Sequence, residues 1–281
     1  MASCSRSKPL LGTFVEVDLV ADVDQPTLLE ASTRVFDRIT EIQGLMSFHD
    51  PDSELSRVNR DAFKMDVPVS KDMRRVIASA LELSLRTNGH YDISVAGAIT
   101  DGKVLPNRTQ RHHPIDWQAI RLGEDFVRFE RDLQIDLGGI AKGFAVDCAF
   151  DLLAELPINF EQIVVNAGGD LRMFDWQDQE VTIRRRRRTV FVRQPMITMR
   201  NRALACSRSG YGSPSSVAVD VSSGKIRRSS RTWGVFAPSC MMADALTKVV
   251  GLRVASQHLI RHYNAQTISI PNTGQAELSI V

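Results

Sequence analysis

Residues 135–147 read IDLGGIAKGFAVD, and no other run constrains the fold as much. It places an acid, two adjacent glycines, a lysine and a third glycine ahead of a segment with helical spacing. Glycine reaches backbone conformations closed to other residues and lets a main chain come close to a ligand. The first amides of a helix point outward at the positive end of its dipole, a ready seat for a phosphate. Lys142 adds a mobile positive charge, and Asp136 offers an acceptor to a ribose hydroxyl or a ring nitrogen. The spacing is neither G-x-G-x-x-G nor G-x-x-x-x-G-K-[ST], so neither standard nucleotide loop is present. Alone, the run reads equally as a phosphate-wrapping loop and as a glycine turn that packs a helix on a strand.

Other stretches bear on that choice. VVNAGGDLR (164–172) is a strand followed by a second glycine turn ending in Asp170, so two backbone segments approach one another or one ligand. SRSGYG (207–212) is a third small-residue turn. APSCMMADALTKVV (237–250) puts Asp244 at a helix start. A carboxylate there either complements the helix dipole or ligates a hard cation, since Mg²⁺ near phosphates takes one or two protein carboxylates.

Between these runs the pattern predicts one α+β domain spanning 1–281. LLGTFVEVDLVA alternates as the strand that starts the fold. Leu28, Leu29, Val35, Ile39 and Ile42 recur at helical spacing from Gln25 to Leu45. Ser53 caps a short helix, and Ser70 caps a long one from Lys71 to Thr87 that ends at Asn88-Gly89. The stretch from Thr100 to Pro114 reads as an exposed connection, and Phe126 to Ile135 as two short strands. A helix runs from Phe144 to Leu156 before Pro157, Gln162 to Val165 is a strand, and a later helix runs from Ala243 to Val250.

Composition excludes several classes. A formal charge of +2 gives no global basic field for nucleic acid. The arginines at 184–188 read as a solvated strand or hairpin, with a site for an acidic partner or nucleic acid as the alternative. No apolar run approaches a membrane span. The four cysteines are scattered and form no metal or disulfide pattern. No apolar stretch precedes Cys4, so the expected location is the cytoplasm, with the periplasm as the alternative for a chain whose signal was removed. His112-His113 and the pair His258 and His262 suggest metal sites by type, but neither has a carboxylate companion in its motif, and a surface role is expected for both.

PLLGTFVEV, MSFHDPDSELSRVN, GHYDISVAG, IDLGGIAKGFAVD, NAGGDLR, SGYG, VAVDVSSGK and ADALTK follow one another from about Pro9 to Gly251. Together they resemble the ApbE family of flavin transferases, the FAD:protein FMN transferases. The resemblance implies mixed sheets with packed helices, T-fold-like. It also implies FAD as substrate and Mg²⁺ as cofactor, with cleavage of the FAD pyrophosphate. FMN would then be attached through its phosphate to a Ser or Thr hydroxyl of an acceptor flavoprotein. By position it places Met46, Asp136, Lys142 and Val219 at the flavin nucleotide, and Gly139, Asp244 and Thr247 at the metal. Asp92 in GHYDISV falls on a family position, with capping of its turn as the plain alternative.

Two positions depart from the family pattern. Val217 stands where the family carries a histidine thought to act as base on the accepting hydroxyl, so no catalytic residue is assigned. Lys248 stands four residues after Asp244, where the family often has a threonine ligand, with Thr247 just before it. A flavin transferase is therefore the expected activity. A non-catalytic FAD-binding protein and an FAD pyrophosphatase releasing FMN and AMP are the alternatives.

Overall fold

The chain opens with a hairpin. β1 (Ala2–Leu10) and β2 (Thr13–Ala21) pair antiparallel over their whole length, joined by Leu11 and Gly12 at φ 55° and 69°. The computed structural model describes residues 1–102, 104–106, 113–183, 196–208, 218–227, 229, 231–271 and 279–280. LLGTFVEVDLVA thus contains a strand, but it does not start the fold. β1 was hidden because it is an edge strand that buries only Cys4, so ASCSRSKPL shows no apolar alternation.

α1 (Gln25–Met46) is capped by Asp24, which accepts from the Thr27 N–H. Leu28, Val35, Ile39 and Ile42 are buried on it, while Leu29 is 43 % exposed because it points a helical step away from that stripe. α2 (Glu54–Asp61) is capped by Ser53. β3 (Val67–Pro68) follows, and then α3 (Lys71–Arg86), capped by Ser70 and ended by Asn88 and Gly89 at positive φ. α4 (Ala96–Asp101) precedes β4 (Ile120–Leu122) and β5 (Phe126–Phe129), which join β3 in a small antiparallel sheet.

The expected second strand after Phe129 is absent. Asn59 takes the place of a ladder there: its side-chain amide donates to the Ile135 carbonyl and accepts from the Ile135 N–H. Of the connection from Thr100 to Pro114, residues 103 and 107–112 lie outside the described residues, and His113 is buried beside Asp132 rather than exposed.

α5 (Ala141–Ala154) begins before Phe144, so Lys142 lies in its first turn. β6 (Phe160–Ala167) and β7 (Asp170–Met173) form a hairpin whose turn residues Gly168 and Gly169 take φ 67° and 109°. β8 (Glu180–Thr182) pairs with β9 (Met196–Thr198), and the arginines at 184–188 lie outside the described residues. β10 (Ala203–Arg208) is followed by the hairpin of β11 (Ala218–Asp220) and β12 (Lys225–Arg227). β13 (Arg231–Ala237), α6 (Cys240–Gly251), α7 (Gln257–His262), β14 (Gln266–Pro271) and β15 (Ser279–Ile280) complete the chain.

The main sheet is antiparallel, in the order β1-β2-β6-β7-β10-β13-β14-β15. Side chains alternate between its faces. Val15, Val17, Val165, Ala205 and Val235 face a core shared with α1, α5 and α6. Leu171, Leu204, Phe236 and Ile268 face a smaller core closed by Ile183, Ile197 and Met199. This is the α+β architecture read from the sequence. Among the described residues no helix is long and apolar enough to cross a membrane.

Candidate functional site

α5 and α6 cross where Gly143 meets Cys240. A Cβ on Gly143 would lie 2.2 Å from the Cys240 carbonyl oxygen, so only glycine permits this approach. The sequence left this glycine open between ligand approach and packing; at Gly143 the structure shows helix packing. Each helix then sends one aspartate into the first turn of the other. Asp147 of α5 accepts from the Cys240 and Met241 N–H groups, both at 2.9 Å, and from Arg172 at 2.9 Å. Asp244 of α6 accepts from the Gly143 N–H at 3.4 Å.

Asp244 does more than staple the helices. Ser239 caps α6, accepting from the Met242 N–H, so the helix starts ahead of the expected Ala243 and Asp244 lies in the helix proper rather than at its start. Its carboxylate is 1 % exposed and faces two ammonium groups. Lys248 Nζ is 3.0 Å from Oδ1, and Lys142 Nζ is 3.6 Å from Oδ2. Lys142 also pairs closely with buried Asp170. Burial pushes the Asp244 carboxyl up, but the two ammoniums and the bond from Lys248 outweigh it, and its pKa lies below the ordinary value. Burial opposes the charge on Lys142, yet Asp170 and Asp244 hold its pKa above the usual lysine value. Lys142 is therefore a cation at neutral pH, and the Lys248 ammonium lies beside it on Asp244.

These cations floor an open cleft of about 590 Å³, within the range of small-molecule sites. Leu11, Ile42, Met46, Phe48, Val104 and Leu105 give it apolar walls, while Asp136, Gly138, Gly139, Lys142 and Lys248 form the polar end. A smaller pocket adjoins it, sharing Asp136, Gly139 and Lys248 and adding Tyr91 and Val219. Asp136 accepts from the Gly138 N–H, but burial dominates and raises its pKa. The glycine pair serves close approach rather than unusual dihedrals, since a Cβ on Gly139 would lie 3.1 Å from Lys248 Cε.

Three amides at the start of α5 are turned inward rather than offered as a phosphate seat. Those of Ile140 and Ala141 donate back to the Leu137 carbonyl, and that of Gly143 goes to Asp244. Positive charge at the cleft floor comes from side chains instead.

Comparison with known proteins decides the family. The ApbE family matches residues 11–266.

The chain belongs to the ApbE family.

It is 26 % identical over 186 residues to the FAD:protein FMN transferase of Haemophilus influenzae, covering 60 % of this chain and 53 % of that protein. It is 27 % identical over 177 residues to that of Salmonella typhimurium, covering 57 % and 50 %. The matched region thus spans about half the length of these ApbE relatives. Among solved structures, the flavin transferase ApbE from Vibrio cholerae superposes with a TM-score of 0.79 at 22 % identity, over 99 % of this chain and 97 % of that one. The ApbE protein from Thermotoga maritima gives 0.80 at 19 %, over 99 % and 97 %. At these identities the structures establish a shared fold.

The ApbE resemblance named Met46, Asp136, Lys142 and Gly139, and all four line the cleft, as does Lys248, which departs from the family pattern. Val219 lies in the adjoining pocket, and Val217 lies outside the described residues, as does SRSGYG beyond Arg208. Thr247 is buried against Asp244, its hydroxyl donating to the Asp244 carbonyl at 2.6 Å and accepting from Lys248 at 3.2 Å. Asp92 caps the turn at Ile93–Val95, accepting from the Ser94 N–H and Oγ, both at 2.7 Å. His258 and His262 are exposed.

Mg²⁺ fits this donor set poorly. Both oxygens of Asp244 face ammonium groups, and the Thr247 hydroxyl is spent on a carbonyl. Two unit charges 4 Å apart interact by about 4 kcal/mol near a protein surface, and a divalent ion doubles that repulsion from each lysine. Among the described residues, no three His, Cys, Asp or Glu side chains are grouped to hold a metal.

The sequence reading did not assign Asp170 a partner. Its signal was there: a lone acid beside the apolar Leu171, directly after the glycine pair.

Proposed function

We propose that this chain binds FAD in the cleft and transfers FMN to a Ser or Thr hydroxyl of an acceptor flavoprotein. The observation that carries this reading is the pairing of an apolar-walled cleft with two buried-stem ammoniums, Lys142 and Lys248, at its floor. The apolar walls suit the isoalloxazine ring, and the lysines suit the pyrophosphate. The names of the curated relatives support the same activity.

In the reaction, the acceptor hydroxyl oxygen bonds to the phosphorus on the FMN side. The bond from that phosphorus to the bridging oxygen breaks, AMP leaves with the electron pair, and the hydroxyl proton passes to a base or to water. Negative charge builds on the leaving oxygen, and preorganised ammoniums lower the barrier by offsetting it. Met46 and Asp136 would position the nucleotide, with Val219 beside it.

Val217 favours a second reading, FAD binding without transfer, because valine cannot accept the hydroxyl proton. Incubation with FAD, Mg²⁺ and a candidate acceptor flavoprotein, followed by intact-mass measurement, separates the readings. The proposal expects the acceptor to gain FMN as AMP appears. Intact FAD with an unmodified acceptor would support binding alone, and free FMN with AMP would support a pyrophosphatase. FAD is expected to bind more tightly than FMN, since FMN lacks the pyrophosphate.

A further inference from the structure

Asp244 has the chemistry of a cation ligand, yet a cation of the protein's own already sits on it. Lys248 lies one helical turn on, with Nζ 3.0 Å from Asp244 Oδ1 and 3.2 Å from Thr247 Oγ1. Its stem is fixed over Gly139, and its side chain is 11 % exposed. An ammonium has three N–H donors. Among the described residues, two of those on Lys248 meet Asp244 and Thr247, which leaves one for the cleft. Lys142 is arranged alike, between Asp170 and Asp244. Within the buried cluster the two carboxylates Asp170 and Asp244 balance the two lysines.

We propose that the Lys248 ammonium replaces a divalent cation at Asp244, so that this cleft takes a pyrophosphate-bearing ligand without metal. The proposal rests on the nucleotide-binding reading of the cleft but not on FMN transfer. Three features carry it. No oxygen of Asp244 is turned away from an ammonium. Thr247 points its hydroxyl at a main-chain carbonyl. Lys248 lines both the cleft and the adjoining pocket, so a phosphate entering from either side meets its charge. Selectivity should follow from this geometry. A fixed ammonium reads the phosphate directly, so binding should be insensitive to the supply of divalent ions.

Two measurements on the unaltered protein test the idea. Titration with Mn²⁺, followed by the electron paramagnetic resonance of the free ion, should show the metal remaining free up to about 1 mM, the weak end of biological cation sites. Calorimetric titration with inorganic pyrophosphate in EDTA should show binding. Lys248→Thr should reverse both results, gaining Mn²⁺ affinity and losing metal-free pyrophosphate affinity by about tenfold or more. Its melting temperature is recorded alongside to confirm folding. Stoichiometric Mn²⁺ uptake by the unaltered protein, or no pyrophosphate binding without metal, would overturn the proposal. So would an unchanged pyrophosphate affinity in Lys248→Thr. A parallel titration with FAD separates this from the flavin reading. Pyrophosphate binding without FAD binding would leave the lysine assignment standing and remove the flavin, whereas Mn²⁺ uptake with FAD binding would do the opposite.

Discussion

Asp147 and Asp244 occupy mirrored positions, each reaching from one helix of the α5–α6 pair into the first turn of the other. Both are almost wholly buried, yet their partners differ in kind. Asp147 is held by two main-chain N–H groups and by Arg172, whose guanidinium also meets Asp151 at 3.0 Å and lies over the Phe150 ring. Its oxygens are spent inside the fold, away from the cleft. Asp244 is held by two lysines that line the cleft and keep donors to spare. Burial and charge pairing alone do not mark a functional carboxylate. What sets Asp244 apart is that its lysine partners also line the cleft.

Asp147→Ala gives the sharpest test of that contrast. It strips an acceptor from two amides and a buried guanidinium, and breaking a buried pair in this way costs about 3–5 kcal/mol. Thermal unfolding should show the loss, while FAD affinity of the folded protein should change little. A parallel fall in FAD affinity would break the division between the two aspartates.

Asp244→Asn should act on both counts. Stability should fall by about 1–3 kcal/mol at pH 7, and FAD binding should weaken strongly because both lysines lose their anchor. The pH dependence follows from its lowered pKa. Its stabilisation is present above the unfolded-state value of about 3.9 and is lost as pH falls through the folded value. The stability gap between the two proteins should therefore close below about pH 4. Denaturant melts across pH 3–8 would show a gap independent of pH if the lysines did not hold this carboxylate.

The smallest effect is expected at Asp136, where the sign reverses. Burial raises its pKa, so the folded protein holds the proton more tightly than the unfolded chain, and stability declines as pH rises through the folded value. Asp136→Asn removes that decline. It should melt slightly higher than the unaltered protein at pH 8, by no more than about 1 kcal/mol, with the difference vanishing towards pH 4. A lower melting temperature at pH 8 would show that its bond from Gly138 outweighs burial.

The sequence carried the helices well wherever a serine cap and a periodic stripe coincided, as at Ser53 and Ser70. Motif order brought Met46, Asp136, Gly139 and Lys142 together from separate runs, while the apolar walls around Leu11, Phe48 and Leu105 carried no such signal. What it hid has physical causes. β1 lacks alternation because only one of its side chains is buried. The segment before Asp136 looked like a strand because its apolar residues are buried, but a side-chain amide from Asn59 supplies its hydrogen bonds. Pairings such as Lys142 with Asp170 join residues distant in sequence, so no local pattern could report them. The start of α5 reads equally as a phosphate seat or a packing turn, and the structure shows the Ile140, Ala141 and Gly143 amides bonded within the fold.

The central claim is that lysines on the Asp244 cluster receive the pyrophosphate of FAD. A crystal structure with FAD bound tests it most directly. The account predicts pyrophosphate oxygens within about 3 Å of Lys142 Nζ and Lys248 Nζ, the distance of a charge-assisted hydrogen bond, with the isoalloxazine ring against Met46 and Phe48. FAD bound with its pyrophosphate away from both lysines, or held through a metal on Asp244 with Lys248 displaced, would contradict it.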